Sequence, residues 1–251
     1  RIEGDLSLRG DDWAWVTSIV PAIDNFDGVI TADIQASGPL LAPAFDGSLT
    51  WREGSLDVPA INVPLRDIDV VIAGASAGAA TLEGQARAGD GTLSVRGRFE
   101  ELMREERSLQ LTISGESAQL LDWPGYRIWG SPDVTIRGDA GGWNFDGRLE
   151  VPRADFVIED LPETAVEPSP DVVVVGEETE ASAPTVYAGE AILVLGDQVR
   201  VQAFGLDTRL AGELLVRKTR ERPLVAEGEV SLVDGVFVAY GQRLRIQSGT
   251  L

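Results

Sequence analysis

Cysteine and histidine are both absent from the 251 residues, and there is one methionine. Without cysteine there are no disulfides, no zinc–thiolate sites and no thiol nucleophile. That absence does not name a compartment. Without histidine there is no Ser-His-Asp catalysis, no imidazole metal ligand and no imidazole general base. Positive charge is also scarce: 21 Lys and Arg stand against 41 Asp and Glu, a net charge of -20. Lys218 is the single lysine, a bias that fits a GC-rich genome or adaptation to salt. So acidic a chain is a poor partner for nucleic acid or for an anionic membrane surface. No run approaches the roughly 18 apolar residues of a membrane span, and no basic-then-apolar leader opens the chain. The chain starts at Arg1 and stops inside a strand pattern at Leu251, which reads as a fragment of something larger.

What is present is alternation. Ile30, Ala32, Ile34 and Ala36 share one side against Thr31, Asp33, Gln35 and Ser37. The same period of two runs through Ile68–Ile72, Leu93–Phe99, Leu109–Ile113 and Leu210–Val216, which puts each apolar set on one face of a strand. Turn signals punctuate it, with Asp-Gly at 27–28, 46–47, 90–91, 146–147 and 234–235. Three of these read Phe-Asp-Gly, suggesting a degenerate strand–turn–strand repeat without the strict period of a propeller or β-roll. Helix signals are few: 11–21, opened by Asp11 or Asp12 and stopped by Pro21, then 100–108, and a short helix or loop at 117–125. Residues 161–185, rich in proline and glutamate, read as a mobile acidic loop. The expectation is one elongated all-β domain over 1–251: a long curled antiparallel or mixed sheet with one or two short helices, and 1–25 as an N-terminal cap.

Such a sheet poses a problem of cover. Roughly 30 apolar side chains on one face, at about 1.5–3 kcal/mol each when buried, amount to tens of kcal/mol. Either the sheet packs on itself or it leaves an apolar trough. Small residues on that face (Ala32, Ala36, Ala80, Gly84, Ala86, Gly97, Gly212, Ala226, Gly228) suit tight self-packing and a guest equally well.

Candidate chemistry is thin. Asp67 with Asp69, and Asp155 with Glu159 and Asp160, are carboxylate pairs of the kind glycosidases use, but a wet sheet face supplies such pairs by default. Trp13 and Trp15 suggest an interfacial anchor or, more simply, rings that plug one end of the sheet. The glycine-rich stretch 73–84 lacks the Lys-Ser/Thr ending of a phosphate loop.

"SPDVVVVG" (169–176), "FGLDTRLAGELLVRK" (204–218) and "LVDGVFVAYGQRLRIQSGTL" (232–251) resemble the C-terminal domain of the TamB family, within the AsmA-like group of bridge-type lipid transfer proteins. "FDGSLTWREGSLDVPAINVPLRDIDVVI" (45–72) shares the family's cadence. The resemblance implies an open, apolar-lined β-taco, no catalytic residue and no cofactor or metal. It implies a periplasmic segment of an inner-membrane-anchored envelope protein, carrying phospholipids toward the outer membrane and meeting an Omp85-type, TamA-like barrel. Assembly of outer-membrane proteins such as autotransporters is the alternative role. Nucleic acid is not an expected partner.

The residues expected to line the trough follow the alternation. In the first half they are Ile30, Ile34, Leu49, Trp51, Ile68, Val70, Ile72, Leu82, Leu93, Val95, Phe99, Leu109, Leu111 and Ile113. In the second half they are Val134, Ile136, Leu149, Val151, Phe156, Ile158, Val172, Val174, Leu193, Leu195, Val199, Val201, Leu210, Leu214, Val216, Val230, Leu232, Phe237, Leu244 and Ile246. In "EAILVLG" both faces are apolar, and the family cadence selects Ala191, Leu193 and Leu195 as inward.

Overall fold

Strands built from this alternation assemble into one open sheet. The computed structural model describes residues 2–13, 15–38, 44–75, 79–100, 108–139, 141–158, 187–220, 222–239 and 242–250. The strands are β1 (Ile2–Gly10), β2 (Asp24–Gly38), β3 (Ala44–Val58), β4 (Val63–Ala75), β5 (Ala79–Ala88), β6 (Gly91–Glu100), β7 (Ser108–Glu116), β8 (Ala118–Trp123), β9 (Tyr126–Asp139), β10 (Gly142–Ile158), β11 (Tyr187–Ala203), β12 (Leu206–Lys218), β13 (Val225–Ala239) and β14 (Gln242–Thr250). They pair in the order β1-β2-β3-β4-β5-β6-β7-β9-β10-β11-β12-β13-β14, with β8 beside β9. Pairing is antiparallel throughout except between β10 and β11, which run parallel. β1 and β14 do not meet, so the sheet is not closed.

Helix is nearly absent among the described residues. The stretch 11–21 forms only the four-residue α1 (Val16–Ile19), and 117–125 is strand β8 plus the Pro124-Gly125 turn. In 100–108, Glu100 ends β6 and Ser108 begins β7; residues 101–107 lie outside the described residues, as does 161–185.

The Asp-Gly signals divide differently from the sequence expectation. Gly91 follows a hairpin turn, where Ala88 pairs with Gly91 across Gly89-Asp90. The pairs at 27–28, 46–47, 146–147 and 234–235 lie inside β2, β3, β10 and β13. At Gly47 and Gly147 the glycine serves close backbone approach. A Cβ on Gly47 would sit 2.1 Å from the Asp33 carbonyl oxygen, and one on Gly147 2.3 Å from that of Asp133.

A line of irregularities crosses the sheet. Register shifts fall at Asp24–Val29 in β2, Trp51–Leu56 in β3 and Arg66–Asp69 in β4. They recur at Glu150–Arg153 in β10, Leu195–Val199 in β11 and Asp207–Arg209 in β12. The β5–β6 turn and Ser117, at positive φ between β7 and β8, continue the line. Bulges bend strands, so this line of irregularities creases the sheet through β2–β4 and β10–β12. The core sits in the crease. The described residues hold nine buried hydrophobics, five of them alanine, and only Ala32 and Ala80 lie away from this line. Val63, Ala88 and Ala118 form one cluster; Val151, Ala154 and Val199 form the other.

On the short side of the crease, β8 stands where β5, β6 and β7 have no counterpart. The Asp122 N–H donates to the Ile61 carbonyl (3.0 Å) and Asn62 Nδ2 to the Asp122 carbonyl (2.7 Å), tying β8 to the β3–β4 turn. One lip of the folded sheet is therefore shorter than the other.

Candidate functional site

Residues paired across neighbouring strands point to the same face, so the register traces apolar rows through the sheet. One row runs Ile30, Trp51, Val70, Gly84, Val95, Ile113, Val134. The next runs Ala32, Leu49, Ile72, Leu82, Gly97, Leu111, Ile136, Phe145. Ile34 lies opposite Gly47, Phe99 opposite Leu109, and Leu93 between Ala86 and Gly115. Further along, Leu149, Leu193 and Leu214 align, as do Val151, Leu195, Gly212 and Val230, and then Val199, Leu210 and Leu232. Phe156 pairs with Val201, Ile158 with Ala203, Val216 with Ala191, Phe237 with Leu244, Ile246 with Gly235, and Ile68 with Gly54. Val172 and Val174 lie outside the described residues.

The rows are apolar but uncovered. Of the expected lining residues, Ile68, Val151 and Val199 are buried and Leu244 is 57% exposed. The other described ones are half-buried. No helix or second sheet covers this face among the described residues; only β8 folds over it, at the crease.

Several inner glycines are roofed by neighbouring side chains. A Cβ on Gly84 would lie 2.9 Å from Val95 Cγ1, on Gly97 2.9 Å from Leu111 Cδ2, and on Gly138 2.7 Å from the Trp143 ring. These small residues seat larger neighbours, so the room they leave goes largely to the sheet itself.

Sequence alternation missed inner residues beyond the bulges. Leu56 pairs with Leu65, Leu121 with Ile128, Tyr126 with Phe156, and Leu206 with Phe237. Phe145, read with its Asp-Gly as a turn, belongs to an apolar row. For Leu56 and Phe145 the signal was the in-strand glycine, Gly54 or Gly147, which marks a bulge or a close approach as readily as a turn.

The opposite face carries arginine–carboxylate pairs. Arg200 donates to Asp207 through Nε (2.8 Å) and Nη2 (2.6 Å), Arg209 to Asp234 (2.6 Å), and Arg66 to Asp57 (2.7 Å). Arg137 bonds Asp146. The hydrogen bond from Arg200 holds Asp207 below the usual carboxylate range; those from Asn25 and then Arg66 do the same for Asp57. Both carboxylates are thereby kept ionised. The candidate pair Asp67/Asp69 divides at a bulge, with Asp67 in an ion pair with Arg87 (3.0 Å). Asp155 lies between Arg127 (3.3 Å) and Arg153 (3.6 Å), while Glu159 and Asp160 lie outside the described residues. No group of three metal-capable side chains occurs among the described residues. The Trp13 indole donates to the Gly28 carbonyl (3.0 Å) and its ring lies over Gly10, while Trp15 is 55% exposed. No helix is long and apolar enough to cross a membrane among the described residues.

The chain is an open all-β sheet with one apolar face. Over its whole length it is 23% identical to the translocation and assembly module subunit TamB of Haemophilus influenzae, matched over 265 residues. The chain spans 20% of that relative's length. No solved structure matches. Residues 82–251 match the family described as the TamB C-terminal domain, so the chain belongs to that family.

Proposed function

We propose that the concave apolar face binds the acyl chains of phospholipids, and that the chain is a periplasmic segment of a conduit between the inner and outer membranes. The observation that carries this is the run of half-buried aliphatic side chains in register from β2 to β13, with no helix or second sheet over it among the described residues. Leaving such a face in water costs about 25 cal/mol per Å². A row of methyl groups and rings without hydrogen-bonding partners suits an alkyl chain that slides while its polar end stays wet. No step of this needs a catalytic residue, cofactor or metal. For a longer parent protein the proposed partners are those the resemblance implies, an inner-membrane anchor and an Omp85-type, TamA-like barrel.

A second reading, scaffolding of outer-membrane proteins, is favoured by the edges. β1 and β14 each pair on one side only among the described residues, with Leu6 58% and Leu244 57% exposed. Free edges accept incoming strands.

Native mass spectrometry of the chain purified without detergent separates the two. Bound phospholipid, lost in a folded Leu111→Asp variant, supports the conduit. A lipid-free chain that captures an unfolded β-barrel strand, and stops doing so when proline enters β1 or β14, puts the scaffold first.

A further inference from the structure

The apolar rows carry one charged side chain among the described paired residues, and it is the only lysine in the sequence. Lys218 pairs with Gly189, two residues beyond the inward pair Ala191–Val216, so it belongs to the apolar face at the end of β12. Its neighbour Arg217 faces the other way, toward Glu190 (3.4 Å).

The Lys218 ammonium lies 5.3 Å from the centroid of the Tyr187 ring. It donates to the carbonyls of Thr219 (2.8 Å) and Arg222 (2.7 Å). An ammonium has three donors, so these two bonds aim the group and leave one N–H and the full charge for a guest. Tyr187 pairs with Trp143 on the same face, and both are exposed, at 51% and 38%. Arg220 and Arg222 follow in the β12–β13 connection, with Arg220 approaching the β9–β10 turn beside Gly141 and Asp139. Glu221, between them, lies outside the described residues. Four of the chain's 21 basic residues thus fall in six positions of a chain with net charge -20.

A cation on an apolar face is costly without an anionic partner, and the aromatic pair beside it offers amphipathic surface at the border of trough and water. We propose that Lys218, Arg220 and Arg222, with Tyr187 and Trp143, form a subsite for the phosphate of a lipid headgroup on this lip. The acyl chains then run down the Leu214 and Leu193 rows toward the crease. The inference rests on the acyl-chain reading above and adds which lip holds the polar end.

The test uses the 251-residue chain and two lipids with identical acyl chains, phosphatidylglycerol and uncharged diacylglycerol, with retention read by native mass spectrometry. A Lys218→Gln/Arg220→Gln/Arg222→Gln variant is expected to lose phosphatidylglycerol about tenfold, as befits a charge-assisted hydrogen bond. Diacylglycerol retention stays unchanged and also reports that the trough is folded. Lys218→Arg restores most phosphatidylglycerol binding. Equal loss of both lipids, or no loss of either, overturns the headgroup subsite and leaves the acyl-chain reading standing. Retention of neither lipid by the native chain overturns both. Displacement of phosphatidylglycerol by sn-glycerol 3-phosphate at matched concentration marks a free-phosphate site and overturns the lipid assignment.

Discussion

Leu111 stands directly across from Gly97, and its Cδ2 lies 2.9 Å from where a Cβ on Gly97 would be. Gly147 meets a different obstacle, the Asp133 carbonyl oxygen at 2.3 Å, with its own φ at +156°. A leucine tip can rotate; a strand backbone cannot. Gly97→Ala is therefore expected to cost about 1 kcal/mol, and Gly147→Ala about 2–4 kcal/mol. Urea unfolding of the two variants checks the order, and equal costs refute the distinction.

Leu214 lies between Leu193 and Gly228 on the inner face and is half-buried. Leu214→Asp should leave the far-ultraviolet dichroism of the sheet in place while retained phospholipid falls at least tenfold, since a carboxylate in the path must lose water as a chain passes. Leu215→Asp, one residue along and on the other face, should leave retention unchanged. Similar losses in both variants would argue that retention does not depend on the apolar rows.

The tie between β8 and the β3–β4 turn rests on two hydrogen bonds, and the Asn62 side chain makes one of them. Asn62 also holds a positive φ of 53°, which asparagine tolerates better than most residues. Asn62→Ala should destabilise the chain by about 1 kcal/mol, lowering Tm by about 2–4 °C at this size. Differential scanning calorimetry reads the shift; an unchanged Tm would mean the shorter lip is held by the Asp122–Ile61 backbone bond and the Val63–Ala88–Ala118 contacts without help from the Asn62 side chain.

Asp57 and Asp207 are both held below their ordinary carboxylate range by hydrogen bonds. A carboxylate whose folded pKa is depressed contributes stability above its unfolded pKa of about 3.9 and loses it as pH falls through the folded value. Stability should therefore be level at neutral pH and decline below about pH 4. Asp207→Asn should flatten part of that decline. Both groups are partly exposed, so the contribution is modest and shrinks in high salt. Thermal melts across pH 3–7 at two salt concentrations decide it.

Much of this architecture was legible in the residues. Period-two alternation depends only on where successive Cβ atoms point, so it assigned Ile30–Ala36, Leu93–Phe99 and Leu109–Ile113 to strands with one apolar face before any pairing was known. Absent cysteine and histidine narrowed the chemistry in the same local way. Where alternation met a bulge it failed, because an extra residue inverts parity and a glycine that admits a neighbouring backbone looks in sequence like a turn. Leu56, Leu121 and Phe145 were missed for that reason, and the Asp-Gly pairs inside β2, β3, β10 and β13 were read as strand ends.

Period-two alternation determined that this chain is a sheet with one wet and one apolar face. Tertiary structure decided that the bulges fall in register, creasing the sheet along one line and confining the small core to that crease. It also decided that Lys218, one residue among 21 basic ones in sequence, is the cation facing the apolar side among the described paired residues. The reason is physical: facing is set by each strand's own pleat, whereas a crease and a shared face exist only once strands distant in sequence have settled into register.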